Sequence, residues 1–189
     1  MNGNAAYTGY IIARSDSGFQ SLEDLRGKRF AFVDRQSASG YIYPRAILLH
    51  GGKDPEHFFG ETAFLGNHNR VIEAVADGSV DAGGTYSEAL EDAKSRGLPI
   101  EKLKILAQSE HIPKDVIAAC SDLDPCLAEN IKRVFMEITT ADRKLYPVMR
   151  KTGLTGFIEA QDEAYHVIRR VANIVKTGVV NTRSKAVSP

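Results

Sequence analysis

The sequence predicts an α/β domain with a mostly parallel sheet flanked by helices. Three observations carry that expectation. Short β-branched and aromatic runs alternate with segments of helical periodicity over the first hundred residues. Glycines close nearly every helical segment, as at Gly51-Gly52, Gly78 and Gly97. The strand "KRFAFVD" has an almost unbroken apolar interior, as expected of a strand covered on both faces.

In chain order, "YTGYIIAR" (7–14) reads as a strand, with no breaker after Gly9. "SLEDL" (21–25) reads as a short helix in which Ser21 and Asp24 form a capping box, and Gly27 ends it. "KRFAFVD" (28–34) is the buried strand. "YIYPRAILLHGG" (41–52) follows as a helix, with Pro44 tolerable only in its first turn because proline lacks the backbone donor. "ETAFLG" (61–66) is a strand, "NHNRVIEAVADG" (67–78) a helix, "SVDAGGT" (79–85) a strand and "YSEALEDAKSRG" (86–97) a helix. A strand opens at Leu103, and "DVIAAC" (115–120) is read as another. Two amphipathic helices, over 125–143 and 161–178, complete the chain before a tail at 179–189 with little hydrophobic periodicity.

Composition excludes several classes of function. Lys plus Arg equals Asp plus Glu at 24 each, so no global field draws the chain to nucleic acid or to an anionic membrane. No stretch approaches the ~18 uninterrupted apolar residues of a membrane-crossing helix. The first residues lack the basic and apolar regions of a signal peptide. The histidines show no metal-ligand spacing, and no cofactor or metal is expected. Cys120 and Cys126, six positions apart, fit no zinc pattern; two buried thiols are expected, with a local disulfide as the alternative.

One turn gathers the functional signals. Between the strand at 28–34 and the following helix lie Ser37, Ala38, Ser39 and Gly40. In α/β folds ligands collect beyond the carboxyl ends of the strands. A helix starting there offers unpaired N–H groups and the positive end of its dipole, which suits a phosphate-like oxyanion. Gly40 would let such an anion approach the backbone. From these residues alone the turn is equally a serine N-cap with no ligand. His68 reads either as a ligand contact or as a surface residue near a helix start, and Asp81 either as a site carboxylate or as a turn cap. Ser37, His68 and Asp81 do not make a hydrolase: the G-x-S-x-G elbow is absent, and a triad is defined by geometry. No enzymatic activity is expected.

The stretch "SLEDLRGKRFAFVDRQSASGYIYPRAIL", continued by "FLGNHNRVIEAVADGSVDAGGT" and "HIPKDVIAA", resembles the periplasmic phosphate/phosphite/phosphonate-binding proteins of ABC importers, the PhnD-type family. The resemblance spans roughly residues 7–140 and implies a two-lobed clamshell of the type II periplasmic-binding fold. It also implies a phosphorus oxyanion as ligand, an ABC permease as partner and an extracytoplasmic location.

Carried over by residue, the resemblance places Ser37, Ala38 and Ser39 in the family's Ser-Thr-Ser oxyanion trio. His68, Asp81 and, more loosely, Tyr7 become ligand contacts, with Asp81 accepting a proton from a protonated P–OH. Ala38 departs from the usual threonine and removes one hydroxyl donor. The family's first lobe begins with a segment that has no counterpart before residue 7, so an incomplete first lobe is expected. The implied division is a crossover strand at 1–14, a complete second lobe at 15–105, and a returning segment with first-lobe helices at 106–178. With no strands to cover, the C-terminal helices would bury the faces around Val134, Phe135, Val167 and Val171 by self-association. A sensory module of the same fold, or a fragment that no longer serves transport, are the alternatives to import.

Overall fold

The computed structural model describes residues 4–178. Its centre is a five-stranded sheet in the order β3-β2-β4-β1-β5. The strands are β1 (Ala6–Arg14), β2 (Arg29–Phe32), β3 (Glu61–Phe64), β4 (Ala82–Tyr86) and β5 (Leu103–Pro113). β2 runs parallel to both β3 and β4, whereas β1 pairs antiparallel with β4, Gly9 facing Tyr86 and Ala13 facing Ala82. The sheet is therefore mixed, a refinement of the mostly parallel expectation. One consequence matters for the site: the start of β1 lies at the same sheet edge as the end of β4.

The helices are α1 (Tyr43–His50), α2 (His68–Asp77), α3 (Ser87–Ser95), α4 (Pro125–Glu137), α5 (Tyr146–Thr152) and α6 (His166–Thr177). Each early helix carries the local signals that define it. Asn67 caps α2 by accepting from the Arg70 amide at 3.0 Å, and Gly78 ends that helix in the left-handed region at φ 83°. The 3₁₀ turn Leu22–Leu25 is held by Asp24, whose carboxylate accepts from the Ser21 amide at 2.8 Å.

Two apolar layers sandwich the sheet. On one face Ile11, Phe30, Phe32 and Ala82 pack with Leu48 of α1 and with Phe58 and Phe59. On the other, Ile12, Ala31 and Val33 pack with Val71, Ile72 and Val75 of α2 and with Ala89 and Ala93 of α3. The alternation of the strands decides which side chain goes to which face. The central strand β4 carries glycine on both sides. A Cβ on Gly83 would lie 2.5 Å from Val71 Cγ1, and one on Gly84 would lie 3.0 Å from Pro44 Cγ and 3.1 Å from the Gly40 carbonyl oxygen.

The described residues divide into two compact units, one of residues 7–112 with 166–178 and one of residues 4–6 with 113–165. This differs from the division expected at 15–105 and 106–178, because α6 belongs with the sheet. Its Val171 packs with Tyr43 and Ala46 of α1 and Ile112 of β5, and Val167 lies against the same cluster. The self-association expected through Val167 and Val171 is corrected accordingly: their face already has a cover.

In the other unit α4 buries no residue, and Leu127, Ile131 and Val134 are all exposed. Phe135 packs its ring on Phe157, 5.0 Å between centroids. α4 ends at Glu137, six residues short of expectation, because Ile138 turns extended and Thr139 bridges Gly156. The expected strand at 115–120 does not form, and α5 has no counterpart in the sequence reading. Cys120 and Cys126 are free and exposed rather than buried, since this segment packs little apolar surface around them. The tail at 179–189 lies outside the described residues. No described helix is long and apolar enough to cross a membrane.

Candidate functional site

The turn after β2 is where the sequence places it. Asp34 organises its entry: Oδ1 accepts from the amides of Gln36 at 2.8 Å and Ser37 at 2.9 Å. This is the side-chain turn that aspartate forms with the backbone two and three residues on. Ser37 then caps the next element, its Oγ accepting from the Gly40 amide at 3.0 Å. Residues Ala38–Ile42 form one π-helical turn, with the Ile42 amide reaching back to the Ser37 carbonyl, and α1 continues from Tyr43 with Pro44 in its first turn. The wider turn delivers the chain into α1 without asking Pro44 for a donor it lacks.

This arrangement sorts the donors. The Ser37 and Gly40 amides are spent within the turn. The amides of Ala38 and Ser39 meet no acceptor among the described residues. Ser37 Oγ receives a hydrogen bond but keeps its own proton to donate. Ser39 is almost fully buried at 3% exposure and sits over Gly9 of β1. The turn therefore presents two free backbone donors and a hydroxyl at the carboxyl edge of β2.

Gly40 has a packing role. A Cβ there would lie 2.5 Å from Val33 Cγ2, so glycine is required for the turn to seat against the end of β2. Ala38 is half-buried, with its methyl against the cluster that α1, β5 and α6 build around Tyr43.

His68, first residue of α2, shares this edge. Its Nδ1 lies 3.3 Å from the hydroxyl of Thr85, a residue fully buried near the end of β4. Its ring meets the Tyr86 ring edge-on at 4.6 Å, and Tyr86 in turn meets Tyr7 at 5.3 Å. Tyr7, Tyr86 and His68 thus form an aromatic row at the carboxyl edge, made possible by the antiparallel course of β1. Burial pushes the His68 imidazole down to about 4, the Asp34 charge acting weakly the other way, so the ring is neutral at neutral pH.

Asp81 is elsewhere. It precedes β4 and sits at the opposite, amino edge of the sheet, clamped by Arg29 at the start of β2. Arg29 Nη2 donates to Oδ1 at 3.0 Å, Nε to Oδ2 at 3.2 Å, and the Arg29 amide to Oδ2 at 2.9 Å. The same guanidinium also donates to the Ser79 and Gly78 carbonyls, at 2.8 and 3.0 Å. This clamp holds the Asp81 carboxyl below the usual range. Asp81 fastens two parallel strands together at the sheet edge opposite the Ser37 turn. The role of proton acceptor expected for it is withdrawn.

Thr85 and Tyr86 are not among the site residues that the sequence predicts. "TYSEAL" repeats the pattern of the first turn, a strand end running straight into a helix, and on that pattern both residues could have been found.

The ABC transporter phosphonate periplasmic substrate-binding protein family matches residues 1–165. The chain belongs to that family. The phosphate-import protein PhnD of Mycolicibacterium smegmatis is 30% identical over 144 residues, which are 71% of this chain and 45% of that protein. The probable ABC transporter phosphite-binding protein PhnD1 of Prochlorococcus marinus is 25% identical over 164 residues, 83% of this chain and 55% of the relative. The chain thus spans about half the length of these curated relatives. A solved structure of PhnD1 from Prochlorococcus marinus, in complex with methylphosphonate, superposes with a TM-score of 0.77 at 19% identity, covering 91% of this chain and 68% of the other. At that identity the likeness shows the fold, which is that of type II periplasmic binding proteins.

Proposed function

We propose that this chain binds a phosphorus oxyanion (phosphate, phosphite or a phosphonate) at the Ser37–Ser39 turn, as part of a solute-binding protein serving ABC-type import. One observation carries the reading: at the carboxyl edge of β2, the free amides of Ala38 and Ser39 and the Ser37 hydroxyl all belong to one helix start. Such a start favours a tetrahedral anion through its unpaired donors and its dipole. His68 suits the same ligand. In the tautomer whose Nδ1 accepts from Thr85, the ring proton sits on Nε2, and that neutral imidazole can donate to an oxygen. The Tyr7–Tyr86 pair supplies an aromatic wall on the β1 side. The PhnD relatives named for phosphate and phosphite, and the methylphosphonate complex, support this ligand class.

The family supports an ABC permease as recipient and an extracytoplasmic setting as parts of this reading. Of the self-association expected through the C-terminal helices, the α4 face is the part that remains. Titration calorimetry with phosphate, phosphite, methylphosphonate and sulfate tests the reading. Binding of a phosphorus oxyanion is expected, and Ser37→Ala should weaken it by about 1.5–3 kcal/mol, the worth of a hydrogen bond to a charged group. Binding left unchanged by that substitution would place the anion elsewhere.

A further inference from the structure

Two residues before Ser37, Arg35 differs from five of the arginines around the sheet. Arg14 is tied to Asp16, Arg26 to Glu23, Arg29 to Asp81, Arg45 to Glu56 and Arg170 to Glu110. Arg35 meets no carboxylate among the described residues. Its guanidinium lies instead over two rings, 5.1 Å from the centroid of Phe64 and 5.9 Å from that of Tyr41, and its Nη1 lies 3.3 Å from the Tyr41 hydroxyl. Both rings are themselves fixed. Tyr41 and Phe64 are 5.7 Å apart, and each packs on Phe32 of β2, at 5.1 and 5.5 Å. The residue is exposed, so the charge is held in place yet open to solvent.

That position has a chemical meaning. Phe64 ends β3 and Arg35 follows β2, so this cation lies at the carboxyl edge that carries the oxyanion turn. Cα atoms two residues apart lie within about 7 Å of each other, which puts Arg35 beside Ser37. A guanidinium on aromatic faces keeps its planar fork of donors for a carboxylate or phosphoryl group. The nearby Asp34 carboxylate, which already accepts two amides, would repel a second negative group, and Arg35 offsets that charge.

We propose that Arg35 is a second anion contact and determines specificity. The site then takes phosphonates or phosphate esters carrying a further negative group, a carboxylate or a second phosphoryl, ahead of those with a neutral or ammonium tail. This rests on the oxyanion reading of the Ser37–Ser39 turn.

Calorimetry with methylphosphonate, phosphonoacetate and 2-aminoethylphosphonate on the intact chain tests it. Phosphonoacetate should bind about tenfold tighter than methylphosphonate, with 2-aminoethylphosphonate the weakest of the three. Arg35→Gln should bring phosphonoacetate down to the methylphosphonate level while leaving methylphosphonate within about threefold of its original affinity. Arg35→Lys, which keeps the charge and loses the fork, should fall between. Added salt should narrow the gap, since the contact is exposed. A gap that survives Arg35→Gln, or no gap in the unaltered chain, overturns the proposal while leaving the oxyanion turn intact. An equal loss for all ligands in Arg35→Gln would show that the residue acts through the shape of the turn, and also overturns it. Failure of the unaltered chain to bind any of the three sinks both readings together.

Discussion

α4 and α6 are the same object in the sequence and different objects in the fold. Both are about three turns long, both carry an apolar stripe at helical spacing, and both were expected to need a partner. α6 has one within its own unit: Val171 and Ile174 are 2% and 4% exposed, and Val171 packs with Tyr43, Ala46 and Ile112. In α4, Val134 remains 57% exposed and Leu127 48%. Periodicity states that a face exists and is silent on what covers it, because the cover comes from residues far away in the chain. For α6 those residues belong to α1 and β5.

The sharpest way to break this contrast is to put the same charge on both faces. Val171→Asp buries an unpaired carboxylate and should cost more than about 4 kcal/mol in urea unfolding, or prevent folding. Val134→Asp should stay within about 0.5 kcal/mol of the parent. Equal penalties would mean that α4 is covered in solution, as a second copy would do.

Acid should act on the unit that α6 completes. His68 sits there with its imidazole pushed from the ordinary 6.5 down to about 4, so the unfolded chain binds the proton first. Its contribution is present in full above pH ~6.5 and is lost as the pH falls from there to ~4. The partly screened ring makes that loss about 1–2 kcal/mol. His68→Gln should flatten this part of the stability profile measured by denaturant unfolding; an unchanged slope would assign it to other groups.

The smallest effect sharpens the comparison under α6 itself. The Tyr43 hydroxyl is buried with no hydrogen-bond partner among the described residues, and its burial raises the phenol well above its usual range. Tyr43→Phe removes that unpaired group and keeps the ring against Val171, so stability should rise by about 1 kcal/mol. A loss of stability would reveal a partner for the hydroxyl in solution.

What could be read from the sequence was what is local. The strand-to-helix turn announced itself through Ser37, Gly40 and Pro44 within eight positions, and the capped α2 through Asn67 and Gly78. Asp81 entered the site through the family resemblance alone; the strand expected from Ser79 begins at Ala82, so Asp81 precedes it and lies at the amino edge of the sheet. The antiparallel course of β1, which brings Tyr7 to Tyr86, is a pairing between residues some 80 positions apart and leaves no trace in either segment. The packing role of Gly40 was hidden for a related reason, since a glycine that admits a ligand and one that admits Val33 look alike in one dimension.

The two bare positions of β4 set a dimension of the molecule. Because Gly83 lets Val71 and Val75 press onto the strand, and Gly84 lets Pro44 and the Gly40 carbonyl do so from behind, α2 and the oxyanion turn sit closer to the sheet than side chains would allow. The strand works as a thin spacer between them, one backbone thick. The separation between the first residue of α2, which is His68, and the donors of the Ser37 turn is therefore gauged by two absent methyl groups. Neither of them touches a ligand, yet together they calibrate the span of any anion gripped from both sides.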